Sequence, residues 1–173
     1  MRNLSALARV QADHLHVAVA STQAATRWVP RILNAHQHDT VATLVELVIP
    51  QTDTPGAKAV LVDRFVDSLL AEAQRPDRAR FISGLAWLDR RSKALYAKDF
   101  VTASPPQQAE LLTKLSADES VEDRAGVEFF TAIKAMTITG YYTSEVGLRD
   151  ELKDDGRMFL PAYEGCTHPE HQR

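Results

Sequence analysis

Histidine and cysteine are the side chains of this sequence best suited to binding a transition metal. Four of the histidines form two HxH pairs, His14-Leu15-His16 and His36-Gln37-His38. Residues two positions apart on a helix point in nearly opposite directions, so neither pair can chelate one ion from a helical face. We interpret both pairs as polar residues that precede a helix.

The carboxyl-terminal segment holds Cys166, His168 and His171 within a short stretch. A zinc site normally needs a fourth ligand or an open water position, together with hydrogen bonds that orient its ligands. A terminus interrupted by Pro169 supplies neither by itself. A metal-binding enzyme that uses these three residues therefore remains an alternative hypothesis.

Motifs for other chemistries do not occur in the sequence. It contains no GxSxG nucleophile elbow, no glycine-rich phosphate loop and no HExxH pair. A single cysteine excludes an intramolecular disulfide and a cluster held by cysteines alone. The net charge of -3 gives no electrostatic reason to expect a nucleic-acid partner. The sequence thus predicts no catalytic, cofactor-binding or metal-binding residue.

Charged residues are numerous, and we expect them on solvated helix faces. The acidic residues in question are Asp63, Asp67, Asp118, Glu119, Glu122 and Asp123. A basic cluster comprises Arg75, Arg78, Arg80, Arg90, Arg91 and Lys93.

Apolar residues recur at helical spacing from about residue 38 to 153, and no window alternates like a strand. The spacing predicts a first helix capped by Asp39 and ended by Pro50, and a second that starts near Gly56. A third is expected from about Asp77 to Tyr96, with its buried side at Phe81, Leu85, Leu88 and Leu95.

Further helices are predicted in the second half of the chain. Ser104 and Gln107 form a capping box with proline at the first helical position. The segment 127–139 is apolar nearly all round, which is typical of a central helix, and Gly140 is placed as its carboxyl-terminal cap. A last short helix is expected over 144–153.

These elements predict an all-α protein: a single compact bundle of about five to six helices with an irregular tail. We expect an amino-terminal arm over residues 1–35, the helical domain over 36–155 and an extended tail over 156–173. No apolar run approaches the roughly 18–20 residues that a membrane-spanning helix needs.

Two segments are not generic helix. In Ile49-Pro50-Gln51-Thr52-Asp53-Thr54-Pro55-Gly56-Ala57, the residues Asp53, Pro55 and Gly56 predict a rigid turn. In Gly140-Tyr141-Tyr142-Thr143-Ser144-Glu145-Val146-Gly147, a buried helix stops at two adjacent tyrosines. Adjacent tyrosines cannot both point into one core, so we expect one to be half exposed, as interface anchors often are.

These two segments, together with Tyr163-Glu164-Gly165-Cys166 near the end, carry a family resemblance. In their order and spacing the chain resembles the small-subunit family of gluconate 2-dehydrogenase. That family also supplies small (gamma) subunits of flavin-dependent glucose, fructose and glycoside 3-dehydrogenase complexes. The resemblance covers roughly residues 36–167.

The resemblance implies a non-catalytic subunit with no cofactor of its own. Its partner would be a large FAD-containing subunit of the glucose–methanol–choline (GMC) type, which it helps to fold and remain soluble. A cytochrome c subunit is a further partner that such a complex can contain. The implied interface residues are Asp53, Pro55, Gly56, Gly140, Tyr141, Tyr142, Thr143, Ser144, Glu145, Gly147, Tyr163, Gly165 and Cys166.

The resemblance also implies a periplasmic location, because exported family members carry a twin-arginine signal. The first 30 or so residues show no such signal, so a cytoplasmic complex is expected if Met1 is the native start. A free-standing helical protein that binds a ligand between its helices is another alternative.

Overall fold

A computed structural model describes residues 28–117 and 123–156 of the chain, and every regular element in these ranges is helical. The elements are α1 (Ala35–Val48), α2 (Val62–Glu72), α3 (Arg75–Tyr96), a 3₁₀ turn (Phe100–Thr102), α4 (Pro105–Ala117), α5 (Arg124–Tyr142) and a π-helical turn (Gly147–Glu151). The predicted all-α class is confirmed.

Helix α5 is central, since it packs against each of the other four helices. Its buried side carries Phe129, Phe130 and Ile133, as its nearly continuous apolar sequence predicts. Fully burying a side chain of this size stabilises the fold by roughly 1.5–3 kcal/mol. The core is completed by Leu33, Val41, Leu44, Val45, Ala57, Val62, Val66, Leu70, Phe81, Leu85, Leu88, Phe100, Leu111, Leu112, Leu115 and Tyr141.

Helices α3 and α5 approach closely because each carries a glycine opposite an aromatic ring of the other. The Phe129 ring lies against Gly84, and the Trp87 ring lies against Gly126. Phe129 also meets Phe81 edge to face, with ring centroids 5.2 Å apart. This interlock fixes the antiparallel register of the two helices.

Helix α1 begins four residues before the predicted Asp39 cap. Its N-cap is Asn34, whose side chain accepts from the Gln37 amide at 2.8 Å while the Gln37 side chain accepts from the Asn34 amide at 3.0 Å. This reciprocal capping box satisfies two amides that the first turn would leave unpaired. His36 and His38 therefore lie in the first turn rather than before it.

Helix α2 begins at Val62, later than the predicted start near Gly56. The turn over residues 57–61 is interrupted at Leu61, whose φ of 64° is left-handed. Because an ordinary helix cannot pass through that conformation, the chain starts α2 afresh after it. The Val62 amide donates to the Ala57 carbonyl across this break.

Two carboxylates predicted to be solvated are buried in α2 instead. Asp67 accepts the backbone amides of Arg31, Ile32 and Leu33 at 2.7–3.1 Å. Asp63 lies 2.7 Å from the Nε2 atom of His38. Both therefore hold the segment before α1, and the start of α1, against α2. Their helical spacing alone cannot reveal partners more than 20 residues away.

The basic cluster is only partly a solvated face. Arg78 donates to the carbonyls of Leu70, Ala71 and Ala73. These hydrogen bonds satisfy carbonyls at the carboxyl-terminal end of α2 and hold that end against α3. Arg91 pairs with Asp123 at 2.9 Å, so those two side chains are not free surface charges either.

Several sequence expectations concern residues outside the described ranges. These are most of the amino-terminal arm, including His14 and His16, and the acidic residues Asp118, Glu119 and Glu122. The tail after Gly156 also lies outside, with Tyr163, Gly165, Cys166, His168 and His171. Within the described ranges, no helix combines the length and apolarity required to cross a bilayer.

Replacing Asp67 by alanine should lower the free energy of unfolding by about 3 kcal/mol. The change removes the acceptor of three backbone amides, at least one of them buried, and an unpaired buried donor costs roughly 1–3 kcal/mol. Urea denaturation checks this. Glu72→Ala is the control, because the Glu72–Arg31 pair is exposed and should contribute less than about 0.5 kcal/mol. Equal losses for the two variants would contradict the assignment.

Replacing Gly126 by alanine should destabilise the protein by about 2 kcal/mol, because the new methyl group would overlap the Trp87 ring. The sign is diagnostic, since glycine to alanine in an open helix position stabilises by roughly 0.5–1 kcal/mol. In a Trp87→Leu background, the smaller side chain should relieve most of the loss. Thermal unfolding of the four proteins measures it, and a stabilising Gly126→Ala would refute the interlock.

Candidate functional site

The two unusual sequence segments meet in space at the end of α5. The Tyr141 hydroxyl donates to the Pro55 carbonyl at 2.9 Å and lies 3.4 Å from the Thr54 hydroxyl. Thr54 also donates to the Glu151 carboxylate at 2.6 Å. The loop between α1 and α2, which we call the corner (residues 49–57), is thus fastened both to α5 and to the π-helical turn.

A glutamate that the sequence analysis did not single out holds the corner in shape. The Glu46 carboxylate, on the last turn of α1, accepts the backbone amides of Gln51 and Lys58, each at 3.1 Å. A Cβ at Gly56 would lie 2.5 Å from Oε1 of Glu46, so only glycine fits beneath this carboxylate. The Ala57 amide closes the loop by donating to the Ile49 carbonyl at 2.9 Å.

Asp53 lies at the exposed tip of the corner and does not support its backbone in the way that Glu46 does. Its carboxylate accepts from the Thr52 hydroxyl at 3.0 Å. That hydrogen bond is the main cause holding the pKa of Asp53 below its ordinary value, and nearby backbone amides add to it. The tip therefore presents a carboxylate that stays charged down to low pH.

Gly140 is not the cap that the sequence predicts, because α5 continues through it to Tyr142. A Cβ at Gly140 would lie 2.6 Å from the Phe65 ring, so the glycine serves close packing of α5 on α2. The expectation for the two tyrosines is confirmed. Tyr141 is 1% exposed, Tyr142 is 37% exposed, and their rings meet edge to face at 5.3 Å.

The chain turns sharply after Tyr142, and a serine organises the turn. The Ser144 hydroxyl donates to the Tyr141 carbonyl at 2.6 Å and accepts the Gly147 amide at 3.1 Å. Gly147 packs directly on the Tyr141 carbonyl, where any Cβ would overlap it. The last helix expected over 144–153 is present over residues 145–151, but its Gly147–Glu151 part is a π-helical turn.

Large apolar side chains are exposed on and beside this end of α5. They are Ile138 (45% exposed), Tyr142, Leu148 and Leu152 (57% exposed). Ile138 and Tyr142 are one helical turn apart on one face of α5. We call these four residues the tyrosine surface. Exposed apolar residues concentrated on one part of a fold are typical of a protein interface.

The described interface residues of the sequence prediction divide into two groups by exposure. Asp53, Pro55, Tyr142, Thr143 and Glu145 are exposed, Ser144 is half-buried, and Gly56, Gly140, Tyr141 and Gly147 are buried. The exposed group can contact a partner. The buried group can only shape the backbone that presents it.

A second surface feature is an open groove of about 630 Å³ between the end of α2, α3 and α5. Its apolar walls include Leu69, Phe81, Trp87 and Met136. Leu69 is exposed there. Leu95, which the sequence analysis expects on the buried side of α3, is likewise exposed at the far end of that helix. A ligand bound between helices, as the free-standing binding protein hypothesis requires, would lie in this groove.

Replacing Tyr141 by phenylalanine should lower the free energy of unfolding by about 1–2 kcal/mol, because it removes the hydroxyl and leaves the Pro55 carbonyl without that donor. Tyr142→Phe is a matched control on the neighbouring residue, whose ring is partly exposed, and should change stability by less than about 0.5 kcal/mol. Chemical denaturation compares the two. The reverse order of effects would disprove that Tyr141 fastens the corner.

Comparison with known proteins agrees with this architecture. The sequence profile of a family described as gluconate 2-dehydrogenase subunit 3 matches residues 35–154. Comparisons with curated proteins and with solved structures give no significant match. The matched range runs from the first residue of α1 past the π-helical turn. It includes the corner and residues 140–147, which we call the tyrosine segment. The chain belongs to the gluconate 2-dehydrogenase subunit 3 family.

Proposed function

We propose that this chain is the non-catalytic small subunit of an FAD-dependent sugar or polyol dehydrogenase, and that it binds and stabilises a large GMC-type flavoprotein subunit. Membership of a dehydrogenase-subunit family supports an accessory role in an oxidoreductase complex. The single observation that carries the binding role is the tyrosine surface beside the fastened corner. An exposed tyrosine among exposed aliphatic side chains is the composition expected of an interface anchor.

The construction around Tyr142 supports this role. The backbone before it is fixed by the buried Tyr141 ring, and the backbone after it is fixed by the Ser144 and Gly147 contacts. A surface that is ordered before binding loses less conformational freedom on association. The exposed Asp53 carboxylate and the exposed Glu145–Arg149 ion pair are charged groups of the kind found in the polar rim of an interface.

The proposal extends to cofactor and location. FAD would reside in the partner subunit, and a cytochrome c subunit would join through that partner. We further propose that the complex works in the periplasm, which is the location implied by the resemblance to exported small subunits.

Co-expression with a GMC-type flavoprotein gene, which the proposal expects beside the gene for this chain, tests the binding role. We expect the large subunit to be soluble and loaded with FAD only when this chain is present, as measured by the flavin-to-protein ratio of the purified complex. An equally soluble and flavin-loaded large subunit in the absence of this chain would refute the proposal. Fractionation of the same cells for periplasmic activity tests the location separately.

Replacing Tyr142 by alanine should weaken assembly by about 2 kcal/mol or more, roughly a 30-fold rise in Kd, because a central aromatic anchor is lost. The control is Leu95→Ala, since Leu95 is 40% exposed and the α3–α5 register places it about 36 Å from Tyr142 along the bundle. Dissociation of the co-purified wild-type and variant complexes on dilution, followed by analytical ultracentrifugation, measures both Kd values. Unchanged affinity of the Tyr142 variant would remove the tyrosine surface from the interface.

A further inference from the structure

Three metal-ligating side chains converge at a place that the proposed function does not use. Among the residues that the structure describes, His36, Asp89 and Asp99 each direct one ligand atom into a group whose members all lie within 4.8 Å of one another. They come from three separate parts of the fold. His36 is in the first turn of α1, Asp89 is in α3, and Asp99 immediately precedes the 3₁₀ turn.

The geometry of this group separates the two histidines of the His36-Gln37-His38 pair. Nε2 of His36 lies 2.6 Å from Oδ2 of Asp89, whereas Nε2 of His38 lies 2.7 Å from Oδ2 of Asp63. Because the two histidines are two residues apart on a helix, their rings point toward different neighbours, as expected. Only His36 therefore joins the group. His38, two residues further along α1, provides a matched comparison.

Both carboxylates of the group are held in place by contacts within the chain. The remaining oxygen of Asp89 accepts the Phe100 amide at 3.0 Å, which fixes the carboxylate plane. Asp99 lies 2.6 Å from the Lys93 ammonium. Asp89 and Asp99 are only partly exposed and His36 is more open, so solvent reaches the group from one side.

One cation already pairs with the group, because the Lys93 ammonium lies 2.6 Å from Oδ1 of Asp99. Asp89 belongs to the same group, whose ligand atoms all lie within 4.8 Å of one another. The ammonium thus stands where the field of both carboxylates favours positive charge. Lys93 has a flexible and largely exposed side chain, so it can leave without disturbing the helix.

We infer that His36, Asp89 and Asp99 form a binding site for one divalent first-row metal ion, which competes with the Lys93 ammonium. One imidazole and two carboxylates suit Mn²⁺, Fe²⁺, Co²⁺ or Zn²⁺, with solvent completing the coordination shell. The His36 and Asp89 ligand atoms would have to separate slightly, to the roughly 3 Å that two ligands of one ion require. The bound ion would tie the start of α1 to α3 and the 3₁₀ turn.

Titration of the full chain with Mn²⁺, followed by the electron paramagnetic resonance signal of the free ion, tests the site. Mn²⁺ is the suitable probe because it prefers carboxylate and imidazole over the thiol of the Cys166 region. We expect one site with a Kd on the order of 100 µM, which is plausible for an exposed three-ligand site. At 1 mM Mn²⁺ the Tm should rise by about 3–5 °C.

Four variants decide the assignment. His36→Gln and Asp99→Asn should each raise the Kd at least tenfold, while His38→Gln should change it less than twofold. Lys93→Gln should lower the Kd several-fold, because the competing cation is gone, and misfolding cannot produce this gain. Unfolding measured without metal verifies that each variant is folded.

The opposite results would overturn the inference. These are no binding below 1 mM Mn²⁺, equal binding by the wild-type and His36→Gln proteins, or a Lys93→Gln variant that binds no more tightly than wild type. Weak binding that all variants share would show adventitious association with surface carboxylates only. This test is independent of the proposed partner, because it needs neither the flavoprotein nor the tyrosine surface.

Discussion

The Tyr141 ring fills the space between α5 and the corner, and its hydroxyl donates to the Pro55 carbonyl at 2.9 Å. Much of the candidate site depends on this one residue. Its ring supports Tyr142 edge to face, and its carbonyl is the surface on which Gly147 packs. Because a buried hydroxyl must find an acceptor, the corner has to present a free carbonyl at one particular place. Proline at position 55 fixes the backbone that does so.

Buried carboxylates impose a second constraint on the fold. A carboxylate removed from water is tolerated only when donors surround it, and Asp67 receives three consecutive backbone amides. Asp63 is less well satisfied, because its Oδ1 atom has no hydrogen-bond partner in the described structure. Such groups add little net stability compared with apolar residues, but they permit one arrangement of the chain and not others. Here they specify how residues 31–38 lie on α2.

The elements that could be predicted from the sequence are those with local signals. The start of α4 follows from Ser104 and Pro105, and the central place of α5 follows from its apolar sequence. The roles of Glu46 and Asp67 could not be predicted, because a carboxylate at helical spacing looks the same whether it faces solvent or a distant loop. Gly140 was misassigned for a similar reason. Glycine serves both as a cap and as space for a neighbouring ring, and only the Phe65 contact distinguishes the two.

The two adjacent tyrosines have complementary physical roles. An exposed aromatic side chain on a free helix end would lose about 0.5–1.5 kcal/mol of conformational freedom when a partner immobilises it. The Tyr142 ring already rests on the buried Tyr141 ring, which the corner holds in turn, so part of that freedom is lost on folding. In the proposed complex Tyr141 therefore contributes without touching the partner. On this argument the corner and the tyrosine segment act as one unit, since loosening either would leave Tyr142 exposed but no longer preorganised.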